Sequence, residues 1–177
     1  MIKKILVGLA VVLAVFLVAV AFKPSHFSIT RSTAIPASAA AVFGQVNDLH
    51  KWQAWSPWEK LDPAMKRTFE GPAAGVGAAY AWDGNKDVGA GRMTIIESRP
   101  AELIHLDLEF IKPMAGRCLT EFTFKPESGQ TVVTWTMSGE NNYLAKVVCT
   151  FMNMDKTVGA EFERGLAELK KVASSAP

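Results

Sequence analysis

A chain of 177 residues with 49% apolar and 20% charged side chains is long enough for one domain with its own core plus a short appendage, and it is neither disordered nor fibrous. The net charge of +2 becomes −1 once Lys3, Lys4 and Lys23 around the N-terminal apolar run are set aside, which excludes the basic footprint of a nucleic-acid binder. Cys118 and Cys149 match no metal or redox spacing; one disulfide stays open in an oxidising compartment, and two buried free thiols are the expectation.

Ile5 to Phe22 is eighteen residues free of charge, proline and polar side chains. As a helix it would measure about 27 Å, close to the thickness of a hydrocarbon core. An uncleaved anchor and a signal peptide are both open, because Ala19-Val20-Ala21 has the small-x-small form of a cleavage site. Eighteen residues exceed the usual apolar core of a signal peptide and favour a single-pass anchor in the inner membrane. The lysine balance puts the N-terminus inside and the domain in the periplasm or another extracytoplasmic space. Residues 1–25 are thus read as anchor and linker, and 26–177 as the domain.

The domain begins with a strand. Phe27, Ile29, Thr33 and Ile35 share one parity, and Pro36 stops it. Ser38 caps a short helix with Val42, Phe43 and Val46 on one face. Asn47-Asp48 breaks that helix, and a second, Leu49 to Trp55, ends before Pro57. Period-two patterns follow: Met65, Arg67 and Phe69; Ala78, Tyr80 and Trp82; Met93, Ile95 and Glu97; Ile104, Leu106, Leu108 and Phe110; Cys118, Thr120, Phe122 and Phe124; Val133, Trp135 and Met137. Short turns between them predict antiparallel neighbours. Tyr143 to Met152 reads as a helical lead-in to a last helix, Asp155 to Ala173. There Val158, Phe162, Leu166, Leu169 and Ala173 draw an apolar stripe, and Asp155 is the expected N-cap. Gly159 and Gly165 make sense in that helix if another layer approaches its backbone closely.

Strand, two small helices, six strands and a long helix is the order of the helix-grip fold. The stretches Asn47-Asp48-Leu49 with Trp52, Trp55-Ser56-Pro57-Trp58, Asp62-Pro63, Gly71-Pro72, Gly75-Val76-Gly77-Ala78, Gly84-Asn85, Met93-Thr94-Ile95, Thr134-Trp135-Thr136-Met137 and Gly165-Leu166 resemble a bacterial, polyketide cyclase/dehydrase-like branch of the SRPBCC (START-like) superfamily. The resemblance spans about residues 26 to 173. It implies an α+β domain in which a curved seven-stranded antiparallel sheet wraps around the C-terminal helix, with an elongated apolar cavity between them. It carries no catalytic motif over, and carriers, receptors and enzymes share this fold.

Bulky, adaptable inward side chains suit such a cavity. Tyr80, Trp82, Met93, Phe110, Trp135 and Met137 qualify by parity, with Met114, Met152 and Phe162 from the strand end and the helix, and Trp55 and Trp58 are expected to lid the entrance. The same residues equally suit a filled core. His26 and His105 fall on polar parity, and His50 sits in a short helix. The sequence holds no HExxH, CxxC or phosphate loop, so no metal or cofactor is expected. One acid–base candidate stands: Glu97, on the parity of Met93 and Ile95 and near Arg92 and Asp87, is expected to point inward as a general base. The expected function is binding of a small hydrophobic ligand by a membrane-anchored domain. The alternatives are a cyclase/dehydrase-type enzyme using Glu97 or Tyr80, and an accessory protein with a vestigial pocket.

Overall fold

A computed structural model describes residues 2–175; residues 1, 176 and 177, the last two at the end of the expected domain, lie outside the described residues. The N-terminal helix α1, Ile2–Ala21, is long and apolar enough to cross a membrane. The linker leads into β1, His26–Ile35, then α2, Ala39–Asn47, which is capped by Ser38 accepting from the Ala41 N–H at 3.2 Å.

The next stretch keeps the expected helical run from Leu49 to Trp55 and adds a helix beyond it. A single turn at Leu49–Lys51 runs into α3, Trp52–Trp55, and Pro57 opens a further helix, α4, Pro57–Leu61. Proline at the first helical position lacks only an N–H that has no partner there anyway. Four or five residues are too few to show a helical period, so α4 is invisible to pattern reading.

Six strands follow: β2 Lys66–Glu70, β3 Ala79–Asp83, β4 Ala90–Arg99, β5 Leu103–Lys112, β6 Gly116–Glu127 and β7 Gln130–Glu140. The spatial order is β1-β7-β6-β5-β4-β3-β2, antiparallel throughout, so the chain meanders and β1 closes the far edge. The expected seven-stranded helix-grip sheet is present. Register pairs Phe122 with Trp135 and Tyr80 with Met93, which stacks the inward parities across neighbouring strands.

Two helices end the chain. α5, Tyr143–Phe151, is capped by Asn142, and α6, Met154–Ser174, is a separate helix capped by Asn153. The cap expected at Asp155 thus lies two residues earlier, and Asp155 instead stands in the first turn. There it accepts from the Arg31 guanidinium at 3.0 Å, while Glu163 accepts from Arg31 Nε at 2.8 Å. Arg31 holds the Asp155 carboxyl below the usual carboxylate range.

α6 packs along β1 and against α2, α3 and α4, burying Phe162, Leu166, Leu169 and Ala173. Its two glycines mark close approaches. A Cβ on Gly159 would fall within 2.0 Å of the Arg31 guanidinium, and one on Gly165 within 2.9 Å of the Trp135 ring and 3.0 Å of Pro57.

Candidate functional site

The space between sheet and α6 is filled by aromatic rings centred on Trp135, which is 2% exposed. Its ring stacks on Phe162 at 4.1 Å and 7°, and lies 4.8 Å from Phe122, 5.7 Å from Trp55 and 5.7 Å from Trp58. Such contacts add to the area each ring buries. The indoles of Trp52 and Trp55 donate to the Val46 and Gln45 carbonyls at 2.9 and 3.1 Å, tying α3 to α2. Among the described residues, the buried Trp135 Nε1 has no hydrogen-bond partner.

This arrangement corrects two expectations. Trp55 is 0% exposed and belongs to the core, not to an entrance, because its N–H is spent on α2 and its ring on Phe122 and Trp135. Trp58 is half-buried and packs on Phe162 and Trp135. Met93 and Met137 are buried as parity required. Met114 is 36% exposed at the turn between β5 and β6, away from the interior, because β5 ends at Lys112.

A second aromatic row crosses β2 to β5. Phe69, Tyr80, Trp82 and Phe110 follow one another at 5.1, 5.9 and 6.3 Å. Its polar end is the inward pair that sequence reading missed. The Tyr80 hydroxyl donates to Glu59 Oε1 at 2.6 Å, and Arg67 Nε donates to Glu59 Oε2 at 2.8 Å. Glu59 and Tyr80 are 7% and 3% exposed. Burial, with the Glu59 carboxylate second, pushes the Tyr80 hydroxyl far above the ordinary tyrosine range. Tyr80 is therefore a fixed donor at neutral pH, and Arg67 satisfies the rest of Glu59. The signal was Arg67 itself: an arginine on an inward parity needs a carboxylate from the layer above. Arg31, on the inward parity of β1, obeys the same rule with Asp155 and Glu163.

Glu97 does not face the interior. The β4–β5 register slips between Ile95 and Glu97, so that Ile95 pairs with Leu106 and Glu97 with His105. The extra residue, Ile96, turns Glu97 to the outer face. There the His105 ring lies between Glu97 Oε2 at 2.7 Å and Glu121 Oε2 at 2.8 Å. Ser98 takes the inward place and donates to Asn47 Oδ1 at 2.7 Å. Arg92, expected near Glu97, instead donates to Glu70 at 2.9 Å.

Among the described residues, no group of three or more His, Cys, Asp or Glu is arranged to hold a metal ion. Both cysteines are free thiols. Cys118 is buried as expected, whereas Cys149 is only half-buried. Burial pushes the Cys118 thiol up to about 12.

Space for a small molecule lies at the flanks of the aromatic interior. A cleft of about 520 Å³ opens between β1 and the α5–α6 elbow, with Phe27, Cys149, Phe151, Met152 and Met154 in its wall. Another of about 590 Å³ runs between β1 and the outer side of α6, with Ser32, Leu166, Ala167, Lys170 and Lys171 in its wall; its exposed lining is mostly apolar, whereas that of the first cleft is nearly half polar. Of the expected ligand-lining set, Met152 reaches the first cleft, while Phe162, Trp135 and Tyr80 are held in the two aromatic rows.

A family model described as polyketide cyclase/dehydrase and lipid transport matches residues 26–174. No curated protein matches the sequence. Solved structures share the fold. Mll3558 from Rhizobium loti superposes with a TM-score of 0.63 at 16% identity, covering 85% of this chain and 99% of that one. CalU16 from Micromonospora echinospora gives 0.57 at 15%, covering 84% and 76%. The Aha1 dimer from Colwellia psychrerythraea gives 0.59 at 15%, covering 84% and 97%. At such identities the likeness concerns the fold alone.

Proposed function

The chain belongs to the polyketide cyclase/dehydrase and lipid transport family, and from that premise we propose that it binds one small apolar or lipid-like molecule while tethered to a membrane by α1. The observation that carries this reading is the cleft between β1 and the α5–α6 elbow. Its 520 Å³ lies within the range of about 300–1,000 Å³ typical of small-molecule sites. Two phenylalanines, two methionines and a cysteine supply adaptable apolar contacts, while Asn141, Thr150 and Asn153 make nearly half of the lining polar and suit a molecule with a polar head. The filled interior does not compete for the ligand, because emptying it would unstack Trp135 from Phe162.

A cyclase-type reaction has less support. The inward acid–base pair is sealed, Tyr80 keeps its proton, and Glu59 is occupied by Arg67. A general base needs reach to its substrate and a free lone pair.

The test begins with the full chain carrying a protease site in the Lys23–Ser25 linker. Cleavage after purification separates lipid held by α1, and the freed domain is examined by native mass spectrometry and organic extraction. A stoichiometric apolar adduct, lost in a cleft-filling Met152→Trp variant, is the expected result. A bare mass that also stays bare with added fatty acid and phospholipid would overturn the assignment.

A further inference from the structure

α5 is a helix without a core. It is well formed, with Asn142 capping the Ala145 N–H at 2.8 Å, yet none of its nine residues is buried. A helix of that length is marginal in water on its own, and helices in folded domains persist because one face packs away from solvent. Leu144, Val148 and Phe151 form a stripe at i, i+4 and i+7; Leu144 is 59% and Phe151 77% exposed. Lys146, the helix's one charge, falls on the opposite side.

The neighbour of α5 is α1. The Tyr143 hydroxyl donates to the Leu17 carbonyl at 2.7 Å, the Phe151 ring lies 5.6 Å from Phe16, and the Lys23 ammonium donates to the Thr150 hydroxyl at 3.1 Å. These contacts set a depth. Lys23 marks the water edge of the apolar run, and Phe16 and Leu17 lie about 6–8 Å inside the end of α1, at 1.5 Å per residue. Amphipathic helices that lie in a membrane surface sit about 5–10 Å into the boundary of headgroups and acyl chains.

We infer that α5 is seated in the leaflet where α1 ends, with Leu144, Val148 and Phe151 in the acyl region and Lys146 toward the headgroups. The bilayer is the missing partner of its apolar face. Phe151 belongs both to this face and to the wall of the 520 Å³ cleft, and the exposed Met152 follows it in that wall, so the cleft opens at the membrane surface and takes its ligand from the acyl layer. This inference rests on α1 spanning the bilayer, and its last clause deepens the binding assignment.

The test uses the full chain in phosphatidylcholine/phosphatidylglycerol vesicles with Cys149→Ser as background. Nitroxide labels are placed one at a time through Leu144→Cys, Phe151→Cys, Val11→Cys in α1 and Glu127→Cys at the end of β6. Collision with oxygen and with a water-soluble nickel chelate gives the depth of each label. Expected are Val11 deep in the bilayer, Leu144 and Phe151 about 5–10 Å below the phosphates, and Glu127 in water. Leu144 and Phe151 in water beside a lipid-embedded Val11 would overturn the inference. Val11 in water would overturn the anchor and the inference together. Seated labels, beside an unlabelled parent chain with Cys149 and Phe151 intact that extracts without ligand, would leave the seating intact and remove the clause about ligand entry, which separates its failure from that of the binding assignment.

Discussion

The middle of α6 and the segment just before it face opposite situations. Toward its middle, Phe162 and Gly165 meet Trp135, Trp58 and Pro57 in a nest where rings are stacked or edge-on within about 6 Å, and little moves without breaking a contact. Before its first turn, the elbow and α5 expose Leu144, Phe151 and Met152 and bury nothing. The first region derives its order from side-chain complementarity within the chain; the second has caps and contacts to α1 but no buried residue of its own. Stability should therefore reside in the nest, and function at the elbow.

The largest effect is expected from Phe162→Ala. Removing the ring stacked on Trp135 leaves a cavity in packed surroundings, and urea denaturation of the full chain in mild detergent should give a loss of about 3–5 kcal/mol. Next is Glu59→Ala, which leaves the Tyr80 hydroxyl without its acceptor and Arg67, still bonded to the Met65 carbonyl, without its carboxylate; about 3 kcal/mol should be lost in the same assay. If the loss were negligible, the pair would be a surface contact and not an interior latch.

Tyr80→Phe is expected to cost about 1 kcal/mol at neutral pH. It should also change the alkaline limb. The folded protein holds the Tyr80 proton more tightly than the unfolded chain does. That contribution is complete below about pH 10, where free tyrosine titrates, and declines as pH rises further, by up to about 1.4 kcal/mol per unit. Denaturation midpoints between pH 9 and 11 should therefore fall less steeply in Tyr80→Phe than in the parent. Cys118 should resist maleimide in the folded protein at pH 8 and react once urea unfolds it, since burial both covers the thiol and raises it to about 12. The smallest effect belongs to the elbow: Phe151→Ser should shift the denaturation midpoint in detergent by no more than about 0.5 kcal/mol. A large loss there would mean that α5 is a structural part of the domain after all.

The directions of the nest's side chains were readable in the sequence, but not that they fill the space where a cavity was expected, and the elbow was not readable at all, for physical reasons. Period-two alternation is forced wherever one face of a strand is buried, so Phe122, Val133, Trp135 and Met137 announced their direction. Gly159 and Gly165 announced close approach because a helix interior otherwise disfavours glycine. Three features lacked such a signature. α4 is too short to carry a period, so Glu59 stood in a stretch with no orientation. The partners of Arg31 and Arg67 lie far along the chain or on that short helix, and only folding brings them together. The apolar stripe of α5 resembles any buried helix face, and its exposure appears only when the helix is set beside α1.

The extra residue in β4 has a consequence for how this strand tolerates insertion and deletion. Ile96 acts as a frameshift within the strand: upstream of it odd positions face the helix, and downstream even ones do. Deleting that one residue would restore a single reading frame. Glu97 would keep its place opposite His105 and Ser98 its place beside Asn47, because Ile95, Glu97 and Ser98 already pair with the consecutive residues Leu106, His105 and Ile104. With Ile96 present but paired in a regular ladder, Glu97 would instead fall opposite Ile104 on the inner face, so one unpaired residue decides which surface of the sheet carries the carboxylate.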